Sequence, residues 1–410
     1  MADLLSGKKV LLGVTGSIAC YKAVDLASKL TQAGAQVDVV LTESAARFVT
    51  PLTFRAITHR PVVTDLFAPE SEHAIEHVAL AVGADILVVA PATAHTIARL
   101  AMGLADDSLG AIALATTAPL LVAPAMDANM YDHPSVRDHL DTLRRRGAHI
   151  AGPEAGRLAS GLTGMGRMQA PETLVGQIKW VLGRKGDLVG RKVVVSAGGT
   201  QEPMDPVRMI TNRSSGKMGY AIAEAARDRG AEVVLVTAAS LPNPVGIECC
   251  HVATVADMRE AVLGACVGAD ALIMAAAVSD YRPAEVGTSK MKKQNQDGGG
   301  MVLHLVKNAD FFLEVPEGVM RIGFAAETED LLANARVKLA SKDLAFIAAN
   351  DVTAPDSGFN VDTNRVTILD RDGGMDELPL LSKYDVGVRI LDRMEALLLK
   401  RGKGVGAGAR

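Results

Sequence analysis

The sequence predicts an α/β protein with two doubly wound, Rossmann-like parallel-sheet domains in tandem. The first observation is a pair of matching starts. Lys8–Val14 and Lys192–Val195 are apolar, β-branched runs, each followed by a glycine-bearing turn and a helical stretch. Runs without polar alternation belong to strands buried on both faces, as in parallel sheets. The second observation is recurrence. After Thr15-Gly16-Ser17, a helix over Ile18–Ala33 leads to strands at Gln36–Leu41, Ile86–Ala90 and Leu120–Ala123. The second half repeats the pattern at Glu232–Thr237, Ala271–Ala276, Arg321–Ala325 and Leu344–Ala349. Strands alternating with helices argue for βαβ units. The third observation is Gly183–Gly190 (GRKGDLVG), polar and glycine-bearing, which marks a linker at 184–190. It separates a domain over 1–183 from one over 191–400, and residues 401–410 predict a disordered tail. Gln294–Gly300 predicts a mobile loop.

At 410 residues, each half is long enough to bury its own core. A net charge of −4 gives no electrostatic footprint of a nucleic-acid binder. Aromatic residues are scarce and alanine abundant, which suits helices packed closely on parallel sheets. No apolar run reaches bilayer-spanning length, and Met1–Gly7 lacks the basic start and apolar centre of a signal peptide. The four cysteines, Cys20, Cys249, Cys250 and Cys266, have no metal-ligand spacing. A reducing cytoplasm is the expected compartment, with neither nucleic acid nor membrane as partner.

The most informative stretch is Ser196–Gly219, SAGGTQEPMDPVRMITNRSSGKMG, set between a strand and an amphipathic helix over Tyr220–Arg229. Gly198 and Gly199 let the backbone approach a ligand closely. Ser214, Ser215 and Gly216 present backbone N–H groups at a helix N-terminus, and Lys217 adds charge. The segment is neither a Walker loop nor a G-x-G-x-x-G fingerprint. It predicts a phosphate-bearing substrate; the bland alternative is an ordinary βα turn with stray polar residues.

In the N-terminal half, Thr15, Gly16 and Ser17 occupy the first βα turn, where a doubly wound fold holds phosphate. Thr42, Ser44 and Ala45 follow the second strand, and Pro91-Ala-Thr-Ala-His-Thr96 follows a later one. Ligands bind beyond the carboxyl ends of such strands, so these loops converge on one site. Each loop alone has a purely structural reading.

Taken together, Gly16-Ser-Ile-Ala-Cys-Tyr-Lys22, His77-Val-Ala-Leu-Ala81, Ala90-Pro-Ala-Thr93, Pro124-Ala-Met126 with Met130-Tyr131, and Gly164-Met-Gly-Arg-Met168 resemble the FMN-dependent cysteine decarboxylases. The similarity is to the phosphopantothenoylcysteine decarboxylase family, from about Lys8 to Trp180. The resemblance implies FMN, with its phosphate near Gly16 and Ser17 and its ring reached by Thr42 and Thr93. It also implies a trimeric unit with active sites between subunits. It makes His77 the catalytic histidine; such a side chain titrates near neutrality and shuttles protons. His73 is a rival by spacing alone, but the family match begins at His77. The implied reaction oxidises the thiol-bearing carbon, loses carbon dioxide and returns the electrons. Two positions depart from the family pattern: Ser160 stands where cysteine is usual, and Asp127 where asparagine is usual. Serine is a far weaker acid than a thiol, so a substitute donor is expected. Cys20 is the nearest thiol in the sequence, with a packing role as its alternative. Asp127 is expected to be neutral in the complex, since an ionised carboxylate repels the substrate's own.

In the C-terminal half, Ser196–Gly219 is joined by Ala275-Ala-Ala-Val-Ser-Asp-Tyr-Arg282, Lys290-Met-Lys-Lys293, Lys307-Asn308, Gly323-Phe-Ala-Ala-Glu-Thr328 and Ala349-Asn-Asp351. These resemble phosphopantothenate–cysteine ligase of the bacterial CTP-using type, from about Lys192 to Leu399. The resemblance implies substrates 4′-phosphopantothenate, cysteine and CTP, joined through an acyl-cytidylate. It assigns CTP or phosphopantothenate contacts to Gly198, Gly199, Ser214, Ser215, Gly216, Lys217, Ala276, Asp280, Lys307, Asn308, Ala309, Phe324, Lys338 and Lys342. Asp280 would recognise the cytosine edge, Asn212 would hold the acyl-cytidylate and direct cysteine, and Lys290 would promote its formation. A triphosphate, a carboxylate and departing pyrophosphate crowd negative charge together, and the lysines at 290, 292, 293, 338 and 342 supply countercharge. Mg2+ would bridge the phosphates, with its protein ligands left open. A solvated loop is the alternative for the lysine run, and a helix N-cap for Asn212.

The fused order resembles the bifunctional coenzyme A biosynthesis family, implying ligation followed by decarboxylation to 4′-phosphopantetheine. It also implies a dodecamer of trimers with dimeric ligase domains. One alternative is a ligase fused to a catalytically impaired FMN-binding assembly or regulatory module. Another is a flavin prenyltransferase fused to a dehydrogenase-like domain, against which the missing G-x-G-x-x-G argues.

Overall fold

The computed structural model describes residues 4–65, 76–290, 302–327, 330–351, 358 and 360–406. The chain divides into two compact units, Ala2–Gly183 and Arg184–Arg410.

In the first unit the strands are β1 (Lys9–Val14), β2 (Gln36–Leu41), β3 (Val62–Val63), β4 (Ile86–Ala92), β5 (Leu120–Pro124) and β6 (His149–Ile150). They form one parallel sheet in the order β3-β2-β1-β4-β5-β6. The reason is visible in β1, whose residues serve two apolar layers. Val10, Leu12 and Val14 pack with Leu26, Leu30 and Ile178 on one face. Leu11 packs with Ile97, Ile112 and Leu140 on the other. A strand buried on both faces needs apolar or small residues along its buried length, and this one has them from Val10 to Val14. An antiparallel hairpin, β7 (Glu154–Arg157) and β8 (Thr163–Arg167), follows the sheet. Its root is docked on the loop after β5: Met126 N donates to Gly166 O at 3.0 Å. Gly166 has φ +155, and a Cβ there would lie 2.2 Å from Met126 O, so only glycine permits this approach.

The second unit opens with β9 (Lys192–Ala197), β10 (Gln201–Pro203), β11 (Met209–Thr211), β12 (Glu232–Thr237), β13 (Glu248–His251) and β14 (Ala271–Met274). It continues with β15 (Tyr281–Pro283), β16 (Leu305–Lys307), β17 (Met320–Glu327), β18 (Phe346–Asp351), β19 (Thr363–Asn364), β20 (Val366–Asp370) and β21 (Met375–Glu377). The main sheet runs β13-β12-β9-β14-β17-β18-β20-β21. Its first six strands are parallel, and β20 and β21 extend it antiparallel. Val193 and Val195 face one apolar layer and Val194 the other, as in β1.

Several boundaries differ from the sequence expectation, and three have a visible physical cause. The helix after β11 begins at Lys217, not Tyr220, because Gly216 at φ +80 supplies the left-handed N-cap. The stretch expected as a linker belongs to the second unit: Leu188 is fully buried in its core, and Asp187 pairs with Arg229 at 2.5 Å. The last helix, Lys383–Gly406, extends into the stretch expected as a tail, since no proline interrupts it; 407–410 lie outside the described residues. Gln294–Gly300 also lies outside them. Among the described residues no helix is long and apolar enough to cross a membrane.

Beneath the second sheet lies a buried ion pair. Arg227 Nε donates to Asp228 Oδ1 at 2.8 Å, with both side chains almost fully shielded. Arg227 also donates to Val245 O at 2.8 Å, and Tyr384 Oη to Asp228 Oδ2 at 2.9 Å. Removing one partner strands a buried charge. Arg227→Met is therefore expected to cost about 3–5 kcal/mol, read as a shift in urea midpoint. Replacing Asp228 as well should recover part of that loss. A single-variant loss of about 1 kcal/mol, the size of an exposed pair, would contradict this.

Candidate active sites

Both sheets reverse their winding direction between two central strands, β1 and β4 in the first unit and β9 and β14 in the second. The crevice beyond the carboxyl ends of such strands is where an open α/β sheet has room for a ligand.

In the first unit, Thr15 bridges this crevice. Its Oγ1 donates to Pro91 O at 2.7 Å and accepts from Thr93 N at 3.1 Å. Gly16 lies against Ser44, with a Cβ there only 2.4 Å from Ser44 Cβ. The loops 15–17, 42–45 and 91–96 are thus drawn together, as the sequence predicts. Ser17 N donates to Thr15 O at 2.8 Å, tightening the turn. Thr42 and Thr93 are helix N-caps, accepting from Ala45 N at 3.2 Å and Thr96 N at 3.3 Å. A capping oxygen accepts, which is compatible with its own O–H donating elsewhere. The acid in these loops, Glu43, turns to Arg47 at 3.6 Å. Such a neutral, hydroxyl-rich donor set fits a phosphorylated cofactor. His77 falls in the helix Glu76–Gly83, but its side chain, like all of His73, lies outside the described residues.

The two departures from the decarboxylase pattern meet. Ser160, at the tip of the β7–β8 hairpin, donates its hydroxyl to Asp127 Oδ2 at 2.6 Å. Asp127 caps the helix Ala128–Asp132, its Oδ1 accepting from Asn129 N at 3.1 Å. The Ser160 hydroxyl, then the Asn129 N–H, holds the carboxyl below the usual carboxylate range. Asp127 is therefore a carboxylate in the substrate-free chain, while the neutral acid is expected of the substrate complex. The expectation for Cys20 is corrected. It is fully buried, its Sγ donates to Thr15 O at 3.2 Å, and burial pushes its thiol up. Packing is its role.

In the second unit a cavity of about 670 Å³ opens at the β9–β14 crevice. It brings together Asn212, Ser214, Ser215, Gly216, Ala276, Asp280, Lys307, Asn308, Ala309, Phe324, Lys338 and Lys342 from five separate stretches of sequence. Crossing bonds hold its rim: Ala277 N donates to Gly198 O at 2.8 Å, and Thr200 N to Ala277 O at 3.2 Å. Asn212 is not a cap; its Nδ2 donates to Ala277 O at 3.0 Å, across the crevice. Asn308 Nδ2 donates to Ser279 O at 2.8 Å, fixing the loop after β16 against Asp280. Lys342 pairs with Asp310 at 3.1 Å and lies 5.5 Å from the Phe312 ring centroid.

Four assigned residues lie elsewhere. Gly198 and Gly199 serve backbone packing: a Cβ would lie 2.6 Å from Ala239 N at the first and 2.8 Å from Asn212 O at the second. Glycine here lets backbone approach backbone rather than ligand. Lys217 points its ammonium to Asn360 O at 2.9 Å and Asp362 Oδ1 at 2.7 Å. Lys290 is exposed and does not line the cavity; 292 and 293 lie outside the described residues.

Sequence reasoning missed Lys383, the first residue of the last helix, which lines the cavity while almost fully buried. Its Nζ donates to Gly358 O at 2.8 Å and Val361 O at 2.5 Å. The available signal was a lysine at a helix start, where a cation opposes the macrodipole and needs a reason.

Comparison with known proteins covers both units. Residues 2–183 match the family described as Flavoprotein, and 188–398 the DNA/pantothenate metabolism flavoprotein C-terminal domain. The coenzyme A biosynthesis bifunctional protein CoaBC of Bacillus subtilis (strain 168) is 47% identical over 407 residues, 98% of this chain and 100% of that protein. The protein of the same name from Escherichia coli (strain K12) is 42% identical over 395 residues, 95% of this chain and 97% of its own. A crystal structure of the C-terminal domain of such a protein is 38% identical, covering 52% of this chain and 98% of that chain, with a TM-score of 0.44.

Burial first, then the neighbouring Lys217, pushes the Lys383 ammonium down to about 8, with Asp362 opposing. The cavity thus loses a cation as pH rises through about 8. The folding sign follows: above that value the unfolded lysine still binds its proton, so Lys383's burial penalty fades as pH rises. Calorimetric titration with inorganic triphosphate should show tighter binding by wild type than by Lys383→Met below about pH 8, converging above it. A constant difference between them through pH 9 would contradict this assignment.

Proposed function

The chain belongs to the coenzyme A biosynthesis bifunctional protein family, enzymes with a ligase and a decarboxylase in one chain, and from that premise we propose its chemistry unit by unit. The second unit joins 4′-phosphopantothenate to cysteine, using CTP with Mg2+. The observation that carries this is the cavity lined by Arg213, Lys307, Lys338, Lys342 and Lys383, with Asp280 and Asp310 as its facing acids. Such an excess of cations suits a triphosphate and a carboxylate held close enough to react. In this reading Asp280 faces the cytosine amine, and Phe324 packs beneath the base. Asn212, braced on Ala277 O, holds the acyl-cytidylate while cysteine attacks. Lys290, outside the cavity lining, would reach the phosphates from its exposed loop.

The first unit decarboxylates 4′-phosphopantothenoylcysteine. FMN, when bound, supplies the electron-accepting chemistry and returns the electrons. The turn Thr15–Ser17 would hold its phosphate, with Thr42 and Thr93 offering hydroxyl protons towards the ring. His77 would handle the proton at the cysteinyl end. Ser160 is a poor acid in its present contact, since its proton is committed to the Asp127 carboxylate. Assembly through trimers of this unit and dimers of the other, and a cytoplasmic location, complete the reading. The exposed apolar side chains Ile18, Tyr21, Phe48 and Leu52 support an assembly face on the first unit.

Product analysis with synthetic 4′-phosphopantothenoylcysteine tests the decarboxylase. Wild type should release carbon dioxide. Cys20→Ala should match its product distribution, because a buried thiol bonded to Thr15 O donates no proton to substrate. Asp127→Asn should lower KM severalfold, because it removes a carboxylate that repels the substrate's own. Enethiol accumulation in Cys20→Ala, or a raised KM in Asp127→Asn, would contradict these roles. Absence of carbon dioxide from wild type would remove the decarboxylase assignment.

A further inference from the structure

Two helices of the second unit begin with lysine: Lys217 opens Lys217–Asp228 and Lys383 opens Lys383–Gly406. A cation at a helix N-terminus opposes the macrodipole, so each needs compensation nearby. Both find it in the same short segment. Lys383 Nζ donates to Gly358 O and Val361 O, and its backbone N–H to Asp362 O at 2.9 Å. Lys217 Nζ donates to Asn360 O and Asp362 Oδ1.

The two attachments differ in kind. Lys383 is 5% exposed and held by backbone carbonyls, neutral groups that a phosphate cannot replace by charge. The Asp362 side chain is 89% exposed, and its pair with Lys217 is an exposed one. Pairs of that sort contribute little and exchange readily. The ammonium of Lys217 holds the Asp362 carboxyl below the usual carboxylate range, so the carboxylate is charged at neutral pH. Immediately before Lys217, Ser214, Ser215 and Gly216 line the cavity. Lys217 follows in the same turn but outside the cavity lining, so a phosphate there would meet the helix N-terminus first, and the lysine once Asp362 releases it.

We propose that Asp362 is an internal counter-anion: it holds Lys217 in the substrate-free ligase, and the phosphate of the acyl substrate displaces it. The inference rests on the ligase reading and adds how the phosphate subsite is kept neutral between turnovers. Lys383 anchors the segment through its carbonyls, so the carboxylate moves while the backbone stays.

The test varies 4′-phosphopantothenate at saturating CTP and cysteine, following pyrophosphate release. Asp362→Asn should lower its KM by about two- to fivefold, the modest change expected from losing an exposed pair, leaving kcat and the KM for CTP unchanged. Lys217→Gln should raise the KM, and Asp362→Asn should add nothing in that background. A structural role for Asp362 alone would not depend on Lys217. An unchanged or raised KM in Asp362→Asn, or an equal drop in the Lys217→Gln background, would overturn the proposal. Titration calorimetry of 4′-phosphopantothenate on the same four proteins reads the exchange without turnover. Lack of CTP-dependent turnover in wild type would sink the ligase reading, while the calorimetric comparison still decides the exchange.

Discussion

When a parallel sheet winds outward in both directions from its centre, the two central strands send their following loops apart. The backbone groups at their carboxyl ends must then find partners across a gap. In this chain the two sheets meet that demand in related ways. Thr15 Oγ1 ties β1 to the loop after β4, and Ala277 ties the segment after β14 to Gly198 and Thr200 after β9. These bonds fix the edges of each crevice and leave its centre to a ligand. The apolar runs Val10–Val14 in β1 and Val193–Val195 in β9 follow from the same winding, because helices must cover both faces.

Charge is distributed around this geometry differently in the two units. The first crevice is built from hydroxyls and small residues, and its nearby carboxylate, Asp127, is held at a helix cap by a serine hydroxyl. The second gathers lysines, and the contacts of Lys342 and Lys383 in its lining, with Lys217 just outside it, show how cations persist together. Lys342 has Asp310, Lys217 has Asp362, and Lys383 has carbonyl oxygens. Each charge is offset locally, which limits their mutual repulsion without removing it, since Lys217 still helps to push the Lys383 ammonium down.

Most of the architecture was legible in the sequence because buried parallel strands have an unmistakable composition. The loops of the second site were legible too: residues as distant as Asn212 and Lys342 line one cavity. What failed was direction. Gly198 and Gly199 lie in the right loop, but their missing side chains make room for Ala239 and Asn212. Lys217 sits beside the anion turn, yet its ammonium reaches a segment 143 residues later. Lys383 escaped notice for the converse reason: its place at a helix start is a faint local mark, but the partners that explain it lie in another loop. Cys20 shows the limit of proximity in sequence. It is near the phosphate turn, but the helix it begins carries its thiol into the core.

The central claim is that the two crevices serve consecutive reactions on one acyl chain. Cysteine labelled with carbon-13 at its carboxyl carbon tests it most directly, because that carbon is joined to the product in the first reaction and lost in the second. With 4′-phosphopantothenate, CTP and magnesium present, the account predicts labelled carbon dioxide, and none when CTP or 4′-phosphopantothenate is omitted. Labelled carbon dioxide without CTP, or its absence from the complete mixture, would contradict the account.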